Sequence, residues 1–514
     1  MSSVIQFYTT HICQYTEMHM IELDGHSLTL EAAKKIVFQG ELISLAPNAL
    51  ERVRAARAVV EKIISKNQRV YGINTGFGKL STQTIPSEKL SLLQENLLKS
   101  HAVGVGEPLP DEVARAAMLF RLNSLLQGRS GVRIEIVEYL REFLNHRVVP
   151  LIPSKGSVGS SGDLAPLAHL ALLLIGEGQA KLGAKILPGG EVLRELGLKP
   201  LQLAPKEGLA LINGTQVALA LGFVALVRAH SLLVQAQAIS ALAVEAMRGY
   251  TAAFDERLHR ARPHPGQLRV AQALRAWLAG SKLADSRTDD IQDNYTLRCI
   301  PQVLGASADA LDFAQEKFET EMNSATDNPL VFAESGEVLS GGNFHGQILG
   351  FCCELLGQAV AEIGNFSERR IALLLEAPDL PKFLTQDGGL NSGLMVPQYT
   401  AAALVAENKV LAHPASVDSI PTSGGKEDHN SMATTSAYKA LQIVQNVESI
   451  LAIELLTVRQ ALSFRDPSQM APCTRTLYQR ISQQIPPLAQ DRLLQYDIHR
   501  AIRIIQEGNW LNGI

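Results

Sequence analysis

The chain has 514 residues, of which 46% are hydrophobic and 19% are charged, and its formal net charge at pH 7 is -4. It carries no basic patch and no RNA-type aromatic motif, which argues against nucleic acid as a partner. Its five cysteines are scattered and show neither a disulfide framework nor the spacing of a zinc site. We therefore expect a protein of a reducing, cytoplasmic compartment that holds no metal.

The N-terminal segment, residues 1–26, is expected to be an extension without a signal peptide, because charged residues and histidines interrupt it before any long apolar run develops. Beyond it the helical period of hydrophobic residues dominates, and clusters of Gly and Pro separate the candidate helices. Long helices are predicted over residues 110–127, 163–176, 214–249, 302–322, 344–374, 398–412 and 430–463. Short strands are predicted at Val148–Ile152, Ala184–Leu187 and Glu191–Val192.

The order of these elements shows no strand–helix alternation, so the predicted fold is mainly α. We expect one unit over residues 27–514, with a smaller mixed N-terminal part (27–205), a long central helix bundle (206–465) and a helical tail (466–514). The most apolar segment, Val217–Met247, also contains charged and amide side chains. This favours a buried bundle helix over a membrane span.

The most informative segment is the glycine- and serine-rich loop over residues 156–166, which reads GSVGSSGDLAP. Gly162 has no side chain, so its amide nitrogen can reach the carbonyl of Ser160 and close a five-membered ring. Loss of water from Ser161 would then leave an exocyclic methylidene, an electrophile made from the chain itself. By itself, such a run is more often an ordinary loop or an anion cradle.

The residues after this loop predict a helix that begins beside it. Asp163 is a suitable N-cap, Pro166 suits the first turn, and the apolar run Leu164–Ile175 indicates a buried helix. The loop would then lie at the positive end of a helix dipole, which favours an electron-accepting ring.

Six further segments carry polar or aromatic residues that are suited to chemistry. Each has an ordinary explanation when taken alone: a loop aromatic, a structural histidine, a turn, a surface ion pair or a helix cap. The segments are Tyr71–Gly78 (YGINTGFG), Ser100–Gly104 (SHAVG), Leu211–Thr215 (LINGT), Gln292–Cys299 (QDNYTLRC), Gly341–Gly346 (GGNFHG) and Lys426–Met432 (KEDHNSM).

Together, in this order and spacing, these segments resemble the MIO-dependent aromatic amino-acid ammonia-lyase family over about residues 27–465. The chain differs from the family's usual pattern at Ser160, where Ala is usual, at Asn294, where Pro is usual, and at Gly424-Gly425-Lys426, where Ala-Asn-Gln is usual. The resemblance implies a helical lyase fold of the fumarase/aspartase type, whose N-terminal part carries the active-site loops. It also implies a homotetramer with active sites shared between subunits.

The resemblance further implies the cofactor MIO, 4-methylidene-imidazol-5-one, formed from Ser160, Ser161 and Gly162, with no metal and no nucleotide. Residues at matching positions acquire expected roles. Tyr71 resembles the catalytic base, and Arg298 resembles the anchor of the substrate carboxylate, for which its planar fork is suited. The remaining residues resemble those that surround the ring (Asn213, Gln292, Tyr295, Phe344) and those of the histidine-specific side-chain pocket (His101, Glu427).

A tyrosine base needs a lowered pKa, because a free phenol with a pKa near 10 is only about 0.1% ionised at pH 7. We expect helix N-termini and Arg298 to lower the pKa of Tyr71. Removal of the barely acidic β-proton would then become feasible.

Histidine is the expected substrate, with trans-urocanate and ammonia as the products. A carboxylate such as Glu427 suits an imidazole, which can donate N–H bonds. Three alternatives stay open: a tyrosine or phenylalanine ammonia-lyase, a 2,3-aminomutase with the same ring, and an inactive helical scaffold. A lyase of the fumarase type is disfavoured, because its Gly-Ser-Ser loop continues into Pro-x-Lys-x-Asn rather than into Gly162-Asp163-Leu164.

Overall fold

The computed structural model describes residues 20–288 and 291–513. The expectation of no signal peptide, and most of the 1–26 extension, therefore lie outside the described residues.

Helices dominate the described chain, which confirms the mainly α prediction. The first eight lie before the central bundle: α1 Leu30–Lys34, α2 Pro47–Ser65, α3 Leu90–His101, α4 Asp111–Leu126, α5 Ile134–Asn145, α6 Leu164–Ala171, α7 Gly189–Glu195 and α8 Glu207–Ile212. The next eight belong to the bundle: α9 Gln216–Ala246, α10 Glu256–Arg260, α11 Pro265–Leu278, α12 Tyr295–Arg298, α13 Ile300–Met322, α14 Gln347–Leu375, α15 Met395–Leu411 and α16 Ala433–Leu462. Two close the chain: α17 Pro472–Gln484 and α18 Leu494–Glu507.

Shorter helical turns connect these elements. They are a π-helix at Lys35–Gln39 and 3-10 turns at Gly78–Leu80, Ser87–Lys89, Leu172–Ile175, Thr251–Phe254, Lys382–Leu384, Ser423–Gly425, Pro467–Gln469 and Asn509–Leu511. The predicted helix over residues 163–176 is thus α6 followed by a 3-10 turn.

Within the described residues the strands are short and make four small sheets. Their bounds are β1 Ile21–Leu23, β2 Ile43–Leu45, β3 Val105–Pro108, β4 Val149–Pro150, β5 Pro153–Lys155, β6 Gln179–Leu182, β7 Lys185–Pro188, β8 Leu330–Phe332 and β9 Glu337–Leu339. β1 and β2 are parallel. The other three sheets are antiparallel: β3 pairs with β5, β8 pairs with β9, and the third has the strand order β4-β6-β7.

The strand prediction at Glu191–Val192 is wrong, because these residues belong to α7. Pro188 ends β7, and helical backbone begins at the next residue, Gly189. Val192 and Leu193 then turn to the core as one buried face of the short helix.

The core of the bundle is α9, which packs against α4, α13, α14 and α16. Because α9 is apolar on nearly all sides, only surrounding helices can cover it. By length and composition α9 and α16 are the two helices of the described chain that could cross a membrane, yet 72% and 78% of their most apolar windows are buried. The prediction of a buried bundle helix is therefore confirmed.

The polar side chains of α9 have partners in the C-terminal tail. Gln235 donates to the carbonyl of Ile505 at 2.8 Å and accepts from the indole N–H of Trp510 at 2.8 Å. Glu245 accepts from the backbone N–H of Ala471 at 2.7 Å. These bonds satisfy groups that would be costly to bury alone, and they fix the tail on the bundle.

Four helix N-termini converge at one end of the bundle, namely those of α6, α9, α14 and α16. The backbone N–H of Asp163 donates to the carbonyl of Gly214 at 2.7 Å, and that of Met432 donates to Val158 at 3.0 Å. Gly346, just before α14, packs against Ala433 at the start of α16. The loop over residues 156–163 therefore lies among the positive ends of several helix dipoles.

Candidate active site

The backbone of the serine–glycine loop turns sharply where the ring is expected. Gly159, Ser161 and Gly162 have φ of 73°, 50° and 77°, in the left-handed region that non-glycine residues seldom occupy. Gly162 also lies back to back with Gly214: an added Cβ would stand 2.2 Å from the Gly214 carbonyl oxygen. Packing alone thus requires a glycine at 162, independently of the expected ring chemistry.

The side chain of Asp163 caps a helix other than the one predicted. It makes no capping bond to α6, which follows it directly. Its Oδ2 instead accepts from the N–H groups of Val217 and Ala218 at 2.9 and 2.8 Å, in the first turn of α9. Its Oδ1 accepts from the hydroxyl of Thr434, on α16. Asp163 therefore joins three helices beneath the loop, which the prediction of a local N-cap missed.

Burial raises the pKa of the Asp163 carboxyl, and its hydrogen bonds from Thr434 and from the α9 backbone oppose that rise. Such a group is stable in the interior only while these donors are in place.

Ser161 is held from two sides. Its carbonyl oxygen accepts from Nδ2 of Asn213 at 2.8 Å, and its hydroxyl donates to Oε1 of Glu427 at 2.9 Å. The neighbouring hydroxyls of Ser160 and Thr422 donate to the other carboxylate oxygen, Oε2. Glu427 is thus directly beside the residues expected to form the ring.

Asn213 is itself held by a buried cation. Nη1 of Arg121, on α4, donates to the Asn213 carbonyl oxygen at 2.8 Å. Arg121 is fully buried, and its desolvation lowers the pKa of its guanidinium to about 10. Neither Arg121 nor Thr422 was among the predicted site residues. An arginine within the apolar run of α4 is the signal that would have pointed to Arg121.

A cavity of about 850 Å³ is lined by six of the predicted site residues: Tyr71, His101, Ser161, Asn213, Phe344 and Glu427. Ser160 and Gly162 line a smaller adjoining cavity, which His101 and Glu427 also line. Lys426 lines the larger cavity too, but it forms no ion pair with Glu427 in the described chain.

The electrostatics of this cavity differ from the expectation for Tyr71. Burial raises the pKa of the Tyr71 phenol, and the negative charge of Glu427 adds to the rise, against a lowering contribution from the Gly78 backbone. Burial lowers the pKa of His101, whose Nδ1 lies 3.0 Å from the hydroxyl of Ser100. A neutral imidazole is therefore favoured at position 101.

The remaining predicted residues, Gln292, Tyr295 and Arg298, are not brought to this cavity. They line a separate surface cavity of about 740 Å³ that shares no residue with it. Arg298 lies over the Tyr295 ring at 4.7 Å from the centroid, and its Nη1 donates to Gln292 Oε1 at 2.6 Å. Tyr295 is 69% exposed. Within one chain, the predicted site residues therefore lie in two separate groups.

No group of three or more His, Cys, Asp or Glu side chains is placed to hold a metal ion within residues 20–288 and 291–513.

Comparison with known proteins identifies relatives along nearly the whole chain. A model described as aromatic amino acid lyase matches residues 28–483. A histidine ammonia-lyase from Geobacillus sp. (strain WCH70) is 48% identical over 498 residues, which are 96% of this chain and 97% of the relative.

Two solved structures extend the comparison to the fold. The histidine ammonia-lyase of Trypanosoma cruzi superposes with a TM-score of 0.89 at 44% identity, covering 96% of this chain and 94% of that one. The tyrosine aminomutase of Streptomyces globisporus superposes with a TM-score of 0.92 at 37% identity, covering 96% and 98%.

Proposed function

Because the chain belongs to the aromatic amino acid lyase family, we propose that it is a carbon–nitrogen lyase that eliminates ammonia from L-histidine to give trans-urocanate. The observation that carries the proposal is the position of Glu427, which contacts Ser160 and Ser161 and lines the same cavity as His101 and Tyr71. An imidazole in this cavity meets both a carboxylate acceptor and a neutral histidine, and so finds partners for its two nitrogens.

The residues at the loop fit the formation of MIO from Ser160, Ser161 and Gly162. The Gly162 nitrogen would bond to the Ser160 carbonyl carbon, whose oxygen leaves as water, and Ser161 would lose its hydroxyl and α-hydrogen as a second water. The positive φ values at 161 and 162 already fold the chain back on itself. When formed, the ring would supply an electrophile that makes the substrate amine a better leaving group.

Asn213 has a defined task in this proposal. Its Nδ2 donates to the Ser161 carbonyl oxygen, which would belong to the ring, and this donor would stabilise negative charge on that oxygen. A donor already aimed at such an oxygen is worth roughly 2.7–4 kcal/mol of transition-state stabilisation in a water-excluded site. Arg121 acts through Asn213 and keeps that donor in place.

Tyr71 is the proposed base, and a nearby cation would oppose the rise in its pKa that burial and Glu427 cause within one chain. We propose that Arg298 of a neighbouring copy supplies it, together with Gln292 and Tyr295, in a homotetramer with shared active sites. Exposed apolar side chains on α14 and α15, including Phe351, Tyr399 and Val410, support a large interface between subunits. Arg298 would also bind the substrate carboxylate.

We further propose that residues 27–514 form one lyase unit and that the enzyme acts in the cytoplasm. The free cysteines of the described chain, Cys299, Cys352, Cys353 and Cys473, support a reducing compartment.

Product analysis tests the substrate. We expect histidine to give urocanate and ammonia, and phenylalanine to react very poorly. Ring formation would remove the Ser161 hydroxyl that donates to Glu427 Oε1, and an apolar substrate ring would leave that oxygen without a donor. A higher kcat/KM for tyrosine than for histidine would overturn the assignment. The tyrosine aminomutase similarity makes a 2,3-aminomutase the second candidate, and a β-amino acid among the products would identify it.

Intact mass and a near-UV difference spectrum test the ring. The wild-type chain should weigh two waters less than its sequence. Ser161→Ala should remove the mass loss and most activity, whereas Ser160→Ala, whose side chain lies outside the ring atoms, should retain both. A wild-type chain of full mass and full activity would contradict the ring.

A further inference from the structure

A second polar cavity, of about 300 Å³, lies in the N-terminal part of the fold, and we call it the arginine pocket. It is bounded by the π-helix Lys35–Gln39, the start of α4, the end of α5 and the β6–β7 turn. It shares no residue with the candidate active-site cavity. The polar side chains that line it are those of Asp111, Arg115, Arg147 and Lys181.

Arg115 is the buried base of the arginine pocket. The residue is 7% exposed, and its Nε and Nη2 donate to the carbonyls of Val37 and Ile36 at 3.2 and 2.8 Å. Its third nitrogen, Nη1, is buried and has no hydrogen-bond partner among the described residues. An unsatisfied charged donor costs free energy, and an anion bound in the cavity that Arg115 lines would offset part of that cost.

The charge of the pocket is also uncompensated. Arg147 is exposed at its rim, where Nη2 donates to the Gln39 carbonyl at 3.3 Å. Neither Arg115 nor Arg147 has an ion-pair partner in the part of the chain that the structure describes. Lys181 pairs with Asp111 at 2.5 Å. The three cations and one carboxylate leave a formal charge of +2 on the lining.

The two guanidinium groups are close enough to disfavour each other. Burial lowers the pKa of Arg115, and the charge of Arg147 lowers it further, while Asp111 opposes both. The pocket also lies at the N-terminus of α4, a helix of 16 residues that begins at Asp111 and contributes positive potential. The burial of Arg115, the net positive charge of the lining and the unpaired Nη1 donor therefore all favour the binding of an anion.

We propose that the arginine pocket binds a phosphate group. A dianion matches the formal charge of the lining, and guanidinium forks bind phosphate oxygens with charge-assisted hydrogen bonds. Arg115 Nη1 is the inner donor, and Arg147 closes on the ligand from the rim. At about 300 Å³ the pocket has room for more than the phosphate itself, so a small phosphate monoester fits the same chemistry as free phosphate.

Calorimetric titration of the full-length protein tests this inference, at constant ionic strength in a chloride buffer. Inorganic phosphate and glycerol phosphate are the two probes, and they separate free phosphate from a monoester. We expect one site per chain for at least one probe. Arg147→Gln should weaken that binding by about tenfold or more, which corresponds to the loss of one charge-assisted contact. Arg54→Gln, on the exposed face of α2, removes the same charge outside the pocket and should bind as wild type.

Arg115→Lys keeps the charge but removes the fork, and it should also weaken binding. Should this buried substitution prevent folding, Arg147→Gln decides alone, because its side chain is exposed. Absence of binding for both probes, or equal binding by wild type and Arg147→Gln, would overturn the proposal. Histidine turnover plays no part in the readout, so the result is independent of the proposed activity.

Discussion

Close packing against Gly214 requires a glycine at position 162, in addition to the role of Gly162 in the proposed ring. An alanine there would place its Cβ 2.2 Å from the Gly214 carbonyl oxygen, on a backbone with φ of 77°. Because the three atoms nearest to this Cβ are all backbone atoms of Gly214, no side chain can move aside to make room for it. We expect Gly162→Ala to lower the free energy of unfolding by about 3 kcal/mol or more.

Denaturant unfolding at a fixed subunit concentration measures this loss. Gly341→Ala is the matched control, since a Cβ at Gly341 meets nothing within 4 Å and its backbone is not left-handed. Equal stability of the two variants would show that the close approach to Gly214 is relaxed in solution.

Glu427 provides the second prediction at this scale. Glu427→Gln keeps the shape of the side chain but removes the charge that faces Ser160, Ser161 and a bound imidazole. We expect kcat/KM for histidine to fall by roughly 100-fold, a loss typical of a positioned acid–base or charged group. Any residual tyrosine turnover should fall much less.

Asp428→Asn serves as the comparison, because it removes a neighbouring, exposed carboxylate. Parallel losses in both variants would indicate a general effect of charge rather than a specific role for Glu427.

At the scale of elements, helices were predicted correctly from the sequence where the apolar segments were long. The predicted helix over 214–249 is α9, and that over 344–374 is α14, each displaced by a few residues at its ends. The amphipathic helices α2, α5 and α11 were not among the predicted long helices. Their charged faces dilute the apolar signal, which becomes clear only when the core they cover is known.

The contacts between elements could not be predicted from the sequence. Asp163 was identified as a cap, but the sequence offered only its own helix as the partner. The fold brings α9 closer to its carboxylate than α6, because Gly162 and Gly214 hold the two chain segments side by side.

A buried histidine at the contact between helices α10 and α11 predicts how the stability of the protein depends on pH. His259 is fully buried, donates from Nε2 to the Ala253 carbonyl at 3.1 Å, and accepts at Nδ1 from Gln267 Nε2 at 3.0 Å. Gln267 Oε1 is taken by Arg262, so the amide cannot turn around. Burial lowers the pKa of His259 below 6.5, the value that it regains on unfolding. Its contribution to stability is therefore complete above pH 6.5 and is lost as the pH falls through the folded-state pKa.

Melting temperatures between pH 7.5 and pH 5.5, a window of roughly one unit on each side of an ordinary histidine pKa, measure this effect. Wild type should lose stability on acidification, and His259→Gln should lose less. His499→Gln, an exposed histidine on α18, should follow wild type. A wild-type profile that is flat or rises toward pH 5.5 would contradict the assignment.

For the whole molecule, the two separated cavities make a prediction about assembly. Ser161 belongs to one cavity and Arg298 to the other. If each working site takes Arg298 from a different copy, Ser161→Ala and Arg298→Ala subunits are each inactive alone but can form intact sites when mixed. Co-refolding the two variants should restore part of the histidine turnover.

Mixing Ser161→Ala with Tyr71→Phe is the informative control, because both residues line the same cavity of one chain. That mixture should stay inactive. Activity in neither mixture, or a fully active monomer by light scattering, would contradict shared sites.

The separation of the predicted site residues into two groups also explains which features of the site could be predicted from the sequence. The motif residues around Ser161 were identified together with those around Arg298, because a motif match does not depend on where each residue lies in the fold. The fold shows that one chain brings the residues around Ser161 together but leaves those around Arg298 apart from them. Burial and the charge of Glu427 raise the pKa of Tyr71. Arg298, which was expected to lower that pKa, lies on the separate surface.

The backbone contact between Gly162 and Gly214 bears on how a lineage of this chain would change after a gene duplication. A copy released from selection for catalysis would be free to replace Ser161, whose hydroxyl is needed for the proposed ring. The codon for Gly162 would remain under purifying selection, because the fold still needs two glycines at that crossing. Retention of glycine at 162 would thus say little about activity in a paralogue, whereas drift at 161 would mark its loss.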